Sequence, residues 1–203
     1  EFKNVSKVFP GVKALNRVSF TVRRGRVHCL MGENGAGKST LMKVINGMYK
    51  LDEGEIYFDG EKWSPNGSAM AREQGVSMIH QELNIIPEMT IAQNMFLGRE
   101  IAQKGAPFMD DAAMCQQTQR LLDMHGLGKY HAKTKMKELT IAEAQMVEIV
   151  KAVSGNAKVI LMDEPTSSLS DQEVKILFDH IFRLKNQGIT IIYISHKMDE
   201  IFQ

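Results

Sequence analysis

Gly32-Glu33-Asn34-Gly35-Ala36-Gly37-Lys38-Ser39-Thr40 is the stretch on which the reading of this chain turns. It fits the pattern G-x-x-x-x-G-K-[ST]. A triphosphate concentrates negative charge, and successive backbone N–H groups can wrap it. Side chains obstruct that approach, so glycines lead the loop. Gly32, Asn34, Gly35, Ala36, Gly37 and Thr40 are the candidate phosphate contacts. Lys38 offers a cation to the β- and γ-phosphates, and the Ser39 hydroxyl suits Mg2+.

The flanks agree with this reading. Val27-His28-Cys29-Leu30-Met31 is an apolar run that predicts a strand entering the loop. A helix is expected over 39–46, stopped by Gly47, with its positive end aimed at the phosphates. Far downstream, Val159-Ile160-Leu161-Met162-Asp163-Glu164 reads as an apolar strand ending in two carboxylates. Strand ends of a parallel sheet face the ligand crevice. Asp163 is expected to serve Mg2+, and Glu164 to act as general base on the attacking water. His196 follows a third apolar run, 189–194, where an imidazole can hydrogen-bond a γ-phosphate. The other five histidines read as surface or satisfied residues.

Between these points the pattern alternates in kind. Residues 2–22 alternate loosely, as exposed antiparallel strands do. Residues 55–59 also alternate and run into Asp59-Gly60, a hairpin signal. Apolar runs at 75–79, 158–162 and 189–194 predict strands buried on both faces. Residues 87–154 are mainly helical, with helices at 110–124 and 143–153. Residues 170–188 are the clearest helix, opened by a Ser170/Glu173 capping box and closed by Gly188. Buried strands alternating with helices argue an α/β core around a parallel sheet, carrying an inserted helical subdomain. The expected division is 1–86 as core with phosphate loop, 87–154 as helical subdomain and 155–203 as the rest of the core.

The bulk properties set limits. A chain of 203 residues fits one domain, and 43% hydrophobic residues suffice for a full core. Lys and Arg number 25 against 24 Asp and Glu, so no basic surplus asks for nucleic acid. No apolar run approaches the roughly 20 residues that span a bilayer. The two cysteines, Cys29 and Cys115, build no disulfide framework, and Cys29 reads as a buried free thiol. A reducing cytoplasm is the expected compartment. The chain opens inside a strand-like segment and ends at 201–203 in an uncapped helical pattern, so a longer parent chain is expected.

In this order along the chain, the residues resemble the nucleotide-binding domain of ABC transporters. The resemblance covers essentially the whole chain. It implies a P-loop NTPase core of RecA-like form with an N-terminal antiparallel β subdomain and an inserted helical subdomain. It also implies hydrolysis of ATP with Mg2+. Phe9 is similar to the aromatic that stacks on adenine. Gln81, in Ile79-His80-Gln81-Glu82, is similar to the glutamine that contacts Mg2+ and the attacking water. Ser168-Leu169-Ser170-Asp171 resembles the D-loop, and His196 resembles the switch histidine.

The signature segment departs from the family's usual LSGGQ. Here it reads Leu139-Thr140-Ile141-Ala142-Glu143-Ala144-Gln145. Thr140 and Glu143 also predict a capping box, and a capped helix start is itself an anion site. In the family this end faces the γ-phosphate held by the opposite domain. Backbone donors survive the change, while the side chains of Ile141 and Ala142 crowd the approach. The Ile-Ala form resembles ATPases of ribose- and galactoside-type sugar importers. That resemblance implies a second nucleotide-binding domain, often fused in the same chain, and transmembrane permease subunits. It also implies a sugar-binding protein acting indirectly and a peripheral place on the cytoplasmic face of the inner membrane. The alternative is a non-transport ABC ATPase acting on nucleic acid or ribosomes, which the balanced charge and the signature oppose. A GTPase would need an N-K-x-D-like motif, which the sequence lacks.

Overall fold

Apolar runs without alternation become the strands of a parallel sheet. They are β3 (Val27–Leu30), β6 (Val76–Ile79), β7 (Val159–Asp163) and β8 (Thr190–Ile194), in the order β3-β8-β7-β6. The two central strands are the most apolar and the most buried. Ile160, Leu161 and Met162 of β7, and Ile191 and Ile194 of β8, have no exposed surface. Register aligns the strand ends: Leu30 and Asp163 both stand opposite Ile194, and Ile79 stands opposite Met162. One edge of the sheet therefore receives the residues that follow all four strands.

The loosely alternating segments form a second sheet, antiparallel, in the order β2-β1-β4-β5. Its strands are β1 (Phe2–Phe9), β2 (Val12–Phe20), β4 (Glu53–Phe58) and β5 (Glu61–Lys62). Asp59 and Gly60 turn β4 into β5 with both residues at positive φ, as a type I′ hairpin requires. Helix α1 (Lys38–Ile45) packs into the shared core. It buries Leu41, Met42, Val44 and Ile45 among Phe2, Val5, Leu15 and Ile56 from one sheet and Val76, Leu161, Ile192 and Ile194 from the other. Each such side chain contributes about 1.5–3 kcal/mol of transfer free energy. The buried Trp63 donates from its indole Nε1 to Ile45 O at 2.8 Å, closing the C-terminal end of α1. Helices α2 (Ser68–Glu73), α6 (Asp171–Asn186) and α7 (Met198–Ile201) complete this unit.

The computed structural model describes residues 1–103 and 108–201. They divide into two compact units, one made of 1–81 with the residues from 155 onward, the other of 82–154. Residues 82–86 thus group with the second unit. The second unit holds α3 (Ile91–Phe96), α4 (Asp111–Met124) and α5 (Ile141–Val153). Its helix starts are capped by side chains. Thr90 and Gln93 form a capping box, Asp110 accepts from the Ala113 amide, and Thr140 and Glu143 form a second box. Each cap stabilises its helix by about 1 kcal/mol. Asn94 is buried and accepts from Ile86 N–H at 2.8 Å while its amide donates to Ile86 O, Met89 O and Thr90 O.

One expectation is corrected. Cys29 is exposed, not buried. Leu30 packs toward the core, and the pleat sends its neighbour Cys29 to the opposite face. The uncapped helical pattern expected at 201–203 reaches Phe202 and Gln203, which lie outside the described residues, as do 104–107 of the helical stretch. Among the described residues, no helix is long and apolar enough to cross a membrane.

Candidate functional site

The phosphate loop joins β3 to α1, and its backbone geometry explains its glycines. Gly37 is the N-cap of α1 at φ 90, where a side chain is strained. A Cβ there would also stand 2.2 Å from Ala14 O, a backbone atom that cannot swing away. Gly35, at φ 84, faces open space. Lys38 Nζ donates to Gly32 O at 2.6 Å and to Glu33 O at 2.9 Å, folding its cation over the loop. Ala14, Asn34, Gly35, Gly37, Lys38, Ser39, Thr40, Gln81 and Glu164 line one pocket. Gln81 arrives there from the end of β6 and Glu164 from the end of β7.

Two contacts tie the distant acids to this loop. Ser39 Oγ donates to Asp163 Oδ1 at 3.2 Å. Asp163 itself is buried, so its carboxylate is presented in one direction. Glu164 Oε2 lies 3.3 Å from His196 Nδ1. Glu164 adopts φ 47, a left-handed backbone that costs a non-glycine residue roughly 1 kcal/mol or more. Its N–H donates to Ile194 O at 3.1 Å, which helps hold that conformation. In this conformation the carboxylate meets His196, two residues past the end of β8. His196 also shares a groove with Met31, Gly32, Glu33 and Asn34.

This arrangement offers hard oxygen ligands, a mobile cation, helix N–H groups and an acid beside an imidazole. Ser39 and Asp163 suit a small divalent cation that keeps other oxygen ligands. Among the described residues no cluster of three or more His, Cys, Asp or Glu side chains holds a metal alone. The remaining ligands would have to be phosphate, water or the Gln81 amide.

Phe9 does not line this pocket. It lies beside the β1–β2 turn, opposite Val12, and meets Tyr49 edge-on at 5.2 Å. Thr140, Ile141 and Ala142 belong to the second unit, at the start of α5. Thr140 N–H donates to Glu143 Oε2 at 2.9 Å and Thr140 Oγ1 accepts from Glu143 N–H at 3.3 Å. Tyr130 OH also donates to Glu143, at 2.8 Å. The Thr140 amide first, then the Tyr130 hydroxyl, hold the Glu143 carboxyl below its ordinary value against partial burial. Of the two side chains expected to crowd this helix start, Ile141 is 55% exposed, while Ala142 is buried. Only Ile141 projects.

Sequence reasoning missed several contributors. Ala14 lines the pocket without a polar side chain, which leaves no signal in the sequence. Glu200, Ser195, Tyr193, Thr166 and Lys197 form a polar network beside His196. Its members are spread over 166–200, and only their side-chain directions reveal it.

Comparison with known proteins agrees with this fold. The chain is 55% identical to a putative ribose/galactose/methyl galactoside import ATP-binding protein of Rhizobium etli, over 100% of this chain and 39% of that protein. The chain thus spans about two-fifths of the length of that curated relative. Among solved structures it is similar to a nucleotide-free ATP-binding cassette from an ABC transporter (TM-score 0.86, 30% identity, 99% of this chain and 82% of that one). It is also similar to a dimeric cassette in a post-hydrolysis state bound to ADP and Pi (TM-score 0.79, 26% identity, 98% of this chain and 88% of that one). The profile described as ABC transporter matches residues 15–167. Matched over more than half its length and carrying the fold of those cassettes, the chain belongs to the ABC transporter family.

Proposed function

We propose that this chain is the ATP-binding and ATP-hydrolysing part of a longer protein that powers sugar import. The observation that carries the reading is the Ser39–Asp163 hydrogen bond, which joins two motifs 124 residues apart in one pocket. The identity to a sugar-import ATP-binding protein supports the coupling to sugar. The dimeric cassette with ADP and Pi supports a second nucleotide-binding domain as partner.

The proposed reaction transfers the γ-phosphoryl group of ATP to water, breaking its bond to the bridging oxygen and releasing ADP and phosphate. The residues fit a Mg-nucleotide: Gly35 faces open space, and Ser39 and Asp163 present oxygens. Mg2+ bound there, with Gln81 as a further contact, supplies charge neutralisation of the phosphate oxygens. Lys38 exchanges its bonds to Gly32 O and Glu33 O for bonds to the β- and γ-phosphates. The loop amides from Gly32 to Thr40 and the start of α1 hold the same oxygens. Glu164 accepts a proton from the attacking water, which Gln81 helps orient. His196 hydrogen-bonds the γ-phosphate and senses its presence. Phe9 holds the adenine. Catalysis is mainly positioning and charge stabilisation.

Thr140, Ile141 and Ala142 complete the site of the partner domain. Transmembrane permease subunits receive the motion, and a sugar-binding protein delivers cargo. The protein sits on the cytoplasmic face of the inner membrane, with no nucleic-acid partner. The test is turnover of the full-length protein reconstituted with its permease. Mg2+-dependent hydrolysis of ATP in preference to GTP, stimulated by sugar and indifferent to added DNA or RNA, is expected. Unchanged nucleotide affinity in Lys38→Ala would sink the assignment.

A further inference from the structure

We infer that Glu200 is a positioning residue for hydrolysis: it anchors both neighbours of His196, so that the imidazole faces Glu164. The inference rests on the functional reading of His196 and Glu164 above. Glu200 is only 6% exposed, on the short helix α7 that follows the His196 loop. Ser195 Oγ donates to Glu200 Oε2 at 2.6 Å, and Tyr193 OH donates to the same oxygen at 2.9 Å. Lys197 Nζ stands 3.3 Å from Glu200 Oε1. The residues immediately before and after His196 are therefore both tied to one carboxylate.

The tie extends in two directions. Lys197 N–H donates to Ser195 Oγ at 3.0 Å, tightening the loop across His196. Lys197 Nζ donates to Thr166 O at 3.3 Å, two residues past Glu164. The strand that carries Tyr193 also supplies Ile194 O, the acceptor for the Glu164 amide. Anchored on one side are the backbone of the imidazole and on the other the backbone of the acid it meets. His196 itself is 52% exposed, so packing alone does not fix its ring. Its direction depends on the backbone that carries it.

The chemistry selects a carboxylate. Ser195 and Tyr193 both donate to Oε2 of this buried group, and the Lys197 ammonium stands beside Oε1 as an ion pair, so the site calls for an acceptor with negative charge. An amide in its place keeps one acceptor for Ser195 and Tyr193 and turns an N–H2 toward Lys197. Glu200→Gln therefore retains half of the anchor, and Glu200→Ala none. Burial raises the Glu200 carboxyl, but the donors from Ser195, Thr166, Tyr193 and Lys197 outweigh it and hold the group below its ordinary value.

The test is a double-mutant cycle on the full-length protein, reading kcat and KM for ATP with thermal stability alongside. Glu200→Ala is expected to lower kcat by about 100-fold, the scale of a displaced catalytic group. KM should stay within about two-fold, because phosphate binding lies elsewhere. Glu200→Gln should lose only several-fold. In a His196→Ala background, adding either Glu200 change should cost nothing further, because Glu200 acts through His196. Full kcat in Glu200→Ala, or losses that multiply in the double variant, overturns the inference alone. Wild-type turnover in His196→Ala overturns both the functional reading and the inference. If Glu200→Ala does not fold, Glu200→Gln and Ser195→Ala in the same cycle decide it, each expected to lose activity only while His196 is present.

Discussion

Two helices of this protein begin in opposite ways. Helix α1 starts at Gly37, with no side-chain cap and no acid in its first turn. Helix α5 starts at Thr140, with a capping box and Glu143 in its first turn. Both ends present unpaired amides and a partial positive charge. At α5 the chain answers that charge itself, through Thr140, Glu143 and the Tyr130 hydroxyl behind them. At α1 only Lys38 crosses the loop, and it bonds backbone carbonyls, adding positive charge to a positive end. An uncapped start forgoes about 1 kcal/mol of helix stability and keeps its donors free. The contrast teaches that two helix ends with the same dipole differ in what they can receive.

Filling the uncapped start should have the largest effect. Gly37→Ala puts a methyl against Ala14 O at a backbone angle that disfavours it. Nucleotide titration of that variant should register no binding at all. Near-normal affinity would mean that the loop is not the cradle. Next comes the acid. Glu164→Gln should retain bound ATP while kcat drops by about 1,000-fold, within the range for losing a general base. Lys38→Ala follows, with an affinity loss of about 100-fold from its charge-assisted bonds to phosphate.

The capped start should respond through stability instead. Thr140→Ala removes the acceptor of the Glu143 amide and should cost about 1 kcal/mol in denaturant melts. The smallest effect belongs to Glu143→Gln. Glu143 has its carboxyl held below the ordinary value of 4.5, so its contribution to stability is complete above that pH. That contribution falls away as acid takes the solution through the lower folded value. Glu143→Gln should lack this acid-side decline, seen as a flatter dependence of the melting midpoint on pH. An unchanged decline would remove Glu143 from the cap.

Much of this contrast was legible in residue order. Gly37-Lys38-Ser39, the Thr140/Glu143 and Ser170/Glu173 pairs and the Asp59-Gly60 turn act over a few residues. Short-range chemistry of that kind is written directly into spacing. The burial of Ala142 beside the exposed Ile141 was not legible, because it depends on which face of α5 packs inward. Cys29 was misread because an apolar run does not announce which of its residues turn away from the core. The Glu164 backbone angle left no trace, since glutamate rarely adopts it.

Motif chemistry and helix starts thus came from the order of residues alone, since a cap or a phosphate loop needs only its own neighbours. The strand order β3-β8-β7-β6 came from folding, because parallel apolar runs are nearly interchangeable as partners until helices choose their faces. That order set Asp163 against Ser39, Glu164 against His196 and Glu200 beneath the His196 loop. Contacts between such distant groups depend on directions in space, and a linear pattern carries none.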